Sequence, residues 1–135
     1  MNFVLLIALA FNSSNAWWIN QLGRKKFVRI VNNLNNGERL NFRCQSKNVD
    51  LGVHSLAVNE QFQFHFKVNF WGRTLFFCRL WYLDKHVEIV AFKSNLDFQE
   101  NCGGDHCIWI GKEDGVYMFR NSKNENILTY LWEKN

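Results

Sequence analysis

The stretch QFQFHFKV, Gln61 to Val68, decides the fold. Phe62, Phe64, Phe66 and Val68 fall on one side, Gln61, Gln63, His65 and Lys67 on the other. A period of two sends successive side chains to opposite faces of an extended chain, whereas a helix would spread these phenylalanines around its axis. The stretch predicts a strand with one buried face.

The same reading extends in both directions. Upstream, Phe27 to Val31 is β-branched and apolar, and Glu38 to Cys44 alternates, with Leu40, Phe42 and Cys44 on one face. Downstream, Thr74 to Tyr82, His86 to Lys93, Cys107 to Gly111, Val116 to Arg120 and Ile127 to Trp132 read as further strands. The chain has no proline, so its turns must come from Asn, Asp and Gly. They recur as NNLNNG (32–37), KNVDLG (47–52), DK (84–85), NCGGD (101–105), KEDG (112–115) and NSKNEN (121–126). About eight short strands separated by such turns predict a small all-β protein, an antiparallel β-sandwich. No amphipathic helix longer than two turns stands out, although Trp17 to Leu22 could form a short extension.

Within VNFWGRTLFFCRLWY, Val68 to Tyr82, six of fifteen residues are aromatic. After a bend at Asn69 to Gly72, Phe76, Cys78, Leu80 and Tyr82 would share one face, with Phe77, Arg79 and Trp81 on the other. Apolar bulk on both faces predicts an interior strand partly covered on both sides. Arg79 would then need a rim position or a partner.

Phe3 to Phe11 is an uninterrupted apolar run, followed by the small-x-small sequence Ser14-Asn15-Ala16. This is the form of a secretory signal with its cleavage site, and the run is shorter than the roughly 20 apolar residues of a spanning helix. Residues 1–16 are therefore expected to be a signal peptide and 17–135 a single secreted domain, without stable membrane insertion. Behind such a signal, Cys44, Cys78, Cys102 and Cys107 read as two disulfides. Three pairings are open.

Residues 17–60 carry seven Lys/Arg against three Asp/Glu, while 61–135 carry nine of each. The excess centres on Arg24, Lys25, Lys26 and Arg29, a basic patch that could meet an acidic or anionic surface. The basic cluster and the aromatic segments do not interleave, so nucleic-acid binding is not expected. His54, His65, His86 and His106 lack the motifs that mark hydrolases and phosphate loops; a hydrolase would need His54 or His106 to meet a carboxylate in a pocket. Cys102-Gly-Gly-Asp-His-Cys107 lacks the second ligand pair of a structural zinc site. No metal, no cofactor and no enzymatic activity are expected.

The order of motifs resembles a known family. VNNLNN with Asn32 and Leu34, then Leu40, Cys44-Gln-Ser-Lys47 and Asp50-Leu-Gly-Val-His54, are followed by FQFHF, NFWGRTLFFC from Asn69 to Cys78, Trp81, Trp109 and Glu113-Asp-Gly-Val-Tyr117. From about Phe27 to Trp132 this resembles the plant self-incompatibility S-proteins and their homologues. The resemblance implies a secreted, non-enzymatic β-sandwich with two disulfides, acting as a protein ligand or interaction module in cell–cell recognition. Its partner would be a cell-surface receptor or other extracellular protein, and the chain is expected to be a monomer. Loops between strands would carry specificity, with Asn33, Asn35, Asn36, Lys47, Asn48, Asp50, Asn95, Asp97, Asn121 and Lys123 as candidate contacts. The alternative is a secreted basic defence or membrane-active protein that uses Arg24 to Arg29 against anionic surfaces.

Overall fold

A computed structural model describes residues 24–68 and 74–135. The expected signal segment, the Trp17 to Leu22 extension and the bend at Asn69 to Gly72 lie outside the described residues. The chain forms β1 (Lys25–Asn32), β2 (Leu40–Gln45), β3 (Asp50–Leu56), β4 (Gln61–Lys67), β5 (Leu75–Tyr82), β6 (Lys85–Lys93), α1 (Leu96–Cys102), β7 (His106–Lys112), β8 (Gly115–Arg120), β9 (Glu125–Tyr130) and β10 (Glu133–Lys134). Two five-stranded sheets, β4-β1-β7-β8-β9 and β10-β6-β5-β2-β3, face each other.

The eight expected strands are present. The alternation of β4 is observed, with Phe64 buried, Phe62 and Phe66 half-buried, and Gln61, Gln63, His65 and Lys67 exposed. Two strands were not expected. β10 is only two residues long. β3 was expected to be half turn, because Gly52 and a bulge opposite Cys44 break its alternation: Arg43 pairs with Val53, but Gln45 pairs with Asp50. Gly52 supplies the positive φ of 77° that this bulge requires.

One pairing departs from an antiparallel sandwich. β1 and β7 run parallel, with Phe27 opposite His106 and Ile30 opposite Trp109. The cause is the crossover. β6 ends at Lys93, α1 carries the chain to the other sheet, and β7 therefore starts at the end where β1 starts. The Phe27 N–H donates to the Asp105 carbonyl there. α1 occupies part of what was expected to be a loop, Asn95 to Asp105. Asn95 is its N-cap, the Asn95 side chain accepting from the Phe98 N–H at 2.7 Å. Gly103 (φ 85°) ends it in the left-handed conformation.

Between the sheets lies one apolar cluster that includes Val28, Ile30, Phe42, Leu80, Ile89, Phe92 and Trp109. Aromatic polar groups tie the layers together. Trp109 Nε1 donates to the Ala91 carbonyl at 3.0 Å, and the Tyr130 hydroxyl accepts from the Val90 N–H at 3.1 Å. Ala91 and Phe92 are both buried although consecutive, because a bulge opposite Phe76 and Phe77 interrupts the pleat.

β5 is the central strand of its sheet. Phe76, Cys78, Leu80 and Tyr82 are at most 4% exposed, as the alternation required. Its second face is covered only in part, as expected: Trp81 is half-buried, whereas Leu75 is 42% and Phe77 40% exposed. Arg79 lies on this face with its guanidinium 3.9 Å from Glu88. It stands directly across from Arg43, an unfavourable like-charge pair that Glu88 and Asp50 offset from either side.

Of the three open pairings, the disulfides are Cys44–Cys78 and Cys102–Cys107. The first joins register partners on β2 and β5. The second closes the link between the end of α1 and the start of β7.

Candidate functional site: the loop end of the sandwich

Pairing registers place the candidate loops at two ends. At the end where β1 begins, Gln45 stands opposite Phe77, Leu75 opposite Lys93, and Ile108 opposite Phe119. Phe66 joins the two sheets here, its ring centroid 4.6 Å from that of Phe76 and 4.8 Å from that of Phe92. The β2–β3 turn (46–49), the α1 segment (94–105) and the β8–β9 turn (121–124) therefore share this end. The β1–β2 loop lies at the opposite end, where the Asn33 N–H donates to the Gly111 carbonyl.

The candidate contacts divide by what their side chains do. Asn95 caps α1. Asn121 is occupied on the disulfide loop, its Nδ2 donating to the Cys102 and His106 carbonyls at 2.7 and 2.8 Å. Asp50 lies in β3 and is paired with Arg43. The Arg43 hydrogen bond, followed by the Gly52 N–H, holds its carboxyl well down, at about 2. Asn36 closes its own turn by accepting from the Glu38 N–H. Asn33 is half-buried and Asn35 exposed at the far end. Lys47, Asn48, Asp97 and Lys123 are exposed at the loop end.

Arg24, Lys25, Lys26 and Arg29 do not form one patch. β1 alternates, so Lys26 turns inward with Val28 and Ile30 and is 2% exposed. Its ammonium lies 2.7 Å from Asp105 Oδ1, and Arg24 reaches Asp105 Oδ2 at 2.7 Å. Arg29 donates to Gln63 on the outer face. A strand sends successive positions to opposite faces, and Lys25 points outward, exposed.

Other chemistry lacks the needed geometry among the described residues. His54 stacks between Phe42 and Phe62, with Nε2 2.8 Å from the Leu51 carbonyl. His106 stacks on Phe27, centroids 4.4 Å apart. Neither hydrogen-bonds to a carboxylate. No group of three or more His, Cys, Asp or Glu among the described residues is placed to hold a metal ion, and no described helix is long and apolar enough to cross a membrane.

The loop end does expose apolar surface. Val49 is 44%, Leu96 45%, Leu75 42% and Phe77 40% exposed. Val49, Leu75 and Phe77 line one recess of about 660 Å³ together with Lys47 and Lys67. Sequence reasoning assigned recognition to polar loop residues and missed these. The signal was present in the alternation of β5, but a strand apolar on both faces does not declare which face stays in water.

The fold defines a small β-sandwich stapled by two disulfides, with an exposed recess of apolar and basic side chains at one end. Its relatives make the assignment specific. The family model of the plant self-incompatibility protein S1 matches residues 27–132, and the chain belongs to that family. It is 33% identical over 106 residues to S-protein homolog 1 of Arabidopsis thaliana, covering 78% of this chain and 70% of that protein. It is 34% identical over 113 residues to S-protein homolog 21 of the same plant, covering 80% and 84%. A solved structure of a self-incompatibility protein homologue, from a family described as small, highly stable and secreted from plants, shares the fold. Its TM-score is 0.64 at 17% identity, covering 82% of this chain and 96% of that one.

Proposed function

We propose that this chain is a secreted, non-enzymatic protein ligand that presents the loop end of its sandwich to an extracellular or cell-surface protein. The observation that carries this reading is one recess at this end in which the exposed apolar side chains of Val49, Leu75 and Phe77 stand together with Lys47 and Lys67. Apolar anchors within a charged rim are the usual anatomy of a protein-binding surface. Family membership and the two disulfides support an extracellular setting. A basic membrane-active role is disfavoured, because Lys26 is buried against Asp105 and Arg24 is spent on the same carboxylate.

The test uses the oxidised, full-length secreted chain as bait for plasma-membrane proteins of reproductive tissue, beside Phe77→Ser and Leu131→Ser. Leu131 is 67% exposed at the opposite end. A partner lost with Phe77→Ser and retained with Leu131→Ser supports the reading. A partner retained by both variants, or retention of the tagged chain inside the cell, overturns it.

A further inference from the structure

Beside α1 lies a cleft of about 500 Å³, within the size range of small-ligand sites. Two of the residues lining it are buried polar side chains that core packing does not explain. Lys26 is 2% exposed and Gln99 6%. The Gln99 amide lines the cleft and is not among the fully buried unpaired polar atoms, so its donor and acceptor face the cleft space rather than the core. Lys26 has three N–H donors, of which one is committed to Asp105 Oδ1 at 2.7 Å. Each Asp105 oxygen accepts one cation, Oδ2 taking Arg24, and a carboxylate oxygen can accept more than one bond. Gly104, with φ of 145° and nothing within 4 Å of an added Cβ, leaves bare backbone at the cleft. Leu96 supplies an apolar wall.

The charges around the cleft decide the ligand class. Arg24 and Lys26 are opposed by Asp105 and Glu100, so two cations meet two anions. A carboxylate ligand would face Asp105 and Glu100, and an ammonium would face Lys26 and Arg24. What remains unfilled is a mixed set: spare N–H donors on Lys26, spare lone pairs on Asp105, and an amide that both donates and accepts. Neighbouring hydroxyl groups match that set, since each donates once and accepts. We infer that this cleft is a binding site for a neutral saccharide, held by Lys26, Gln99 and Asp105 through its hydroxyls.

The experiment is ¹⁵N NMR titration of the disulfide-intact chain with neutral monosaccharides and their methyl glycosides. Acetate and methylammonium serve as ionic comparisons. Ligand is taken to about 100 mM, enough to saturate a site of millimolar affinity. Saturable shifts are expected at the Gly103 and Gly104 amides and the Gln99 side-chain NH₂, at least tenfold weaker in Gln99→Leu. A methyl glycoside that binds as well as the free sugar assigns the site to a glycan terminus; a free sugar that alone binds assigns it to soluble sugar. The inference is overturned by absence of saturable shifts with every sugar, by shifts centred elsewhere, or by acetate or methylammonium binding as tightly as the best sugar. The position of the shifts in the wild-type chain decides the matter even if Gln99→Leu fails to fold.

Discussion

Asn32 is completely buried, and the structure gives its side chain a full set of partners. Nδ2 donates to the Glu38 and Leu56 carbonyls at 3.0 and 2.9 Å, and Oδ1 accepts from the Leu34 N–H at 2.9 Å. It is a structural tie between β1, the following loop and β3, not part of a recognition surface. Asn32→Ala strands two buried backbone groups, the Leu56 carbonyl and the Leu34 N–H, each costing about 1–3 kcal/mol when unpaired; urea unfolding should show a loss of at least about 2 kcal/mol. Asp105 is the second residue whose role only its neighbours reveal. Burial acts to raise its carboxyl, but Lys26 and then Arg24 outweigh burial, and its pKa lies below the ordinary 3.8. A carboxyl depressed on folding stabilises the fold above its unfolded pKa and loses that contribution as pH falls through its folded pKa. Asp105→Asn should therefore lower the urea midpoint at pH 7, where it leaves buried Lys26 without its anion. The gap from wild type should close as pH falls from about 3.8 through the lower folded value. A gap unchanged down to pH about 2 would remove the ion pair from this account. In sequence both residues looked like surface: Asn32 opened a turn signal, and Asp105 sat in a Gly-rich loop. Burial of a polar side chain is legible only with its partners in place.

At the scale of elements, β5 separates what alternation can and cannot say. The inward set Phe76, Cys78, Leu80 and Tyr82 followed from period two once one face was known to be core. The exposure of the outward set did not, because Phe77 and Trp81 are apolar too. Leu80→Ala, at a fully buried site, should cost about 2–5 kcal/mol, whereas Phe77→Ser, at a site 40% exposed, should cost about 1 kcal/mol while affecting partner capture. Equal losses in denaturant unfolding would mean that β5 is covered on both faces. The same limit explains β3 and α1. β3 was obscured by a bulge and Gly52, and α1 is a two-turn helix whose Asn95 cap and Gly103 stop read equally well as loop residues. Short elements draw their stability from packing, so their own sequence carries a weak signal.

For the whole molecule, the two disulfides act at different lengths of chain. Cys44 and Cys78 are 34 residues apart, Cys102 and Cys107 only 5. On the chain-entropy account, the long loop contributes about 4 kcal/mol and the short one about 2. Cys44→Ala/Cys78→Ala should therefore be the more destabilised double variant in chemical unfolding, and the reverse order would show that the short staple acts mainly by holding α1 against β7. Even cysteine number and strand alternation pointed to a stapled sandwich without choosing the pairing, since three connectivities fit the same spacing. Strand periodicity and turn chemistry are local, so the all-β class, the eight principal strands, the inward face of most of them and the family resemblance were legible in the amino-acid sequence. The disulfide pairing, the parallel β1–β7 contact, the division of the basic run into a buried ion pair and scattered surface charges, and the recess shared by Val49, Leu75 and Phe77 came only from the tertiary arrangement. Each of these depends on which distant segments meet, and long-range pairing is set by how two sheets bury one common core.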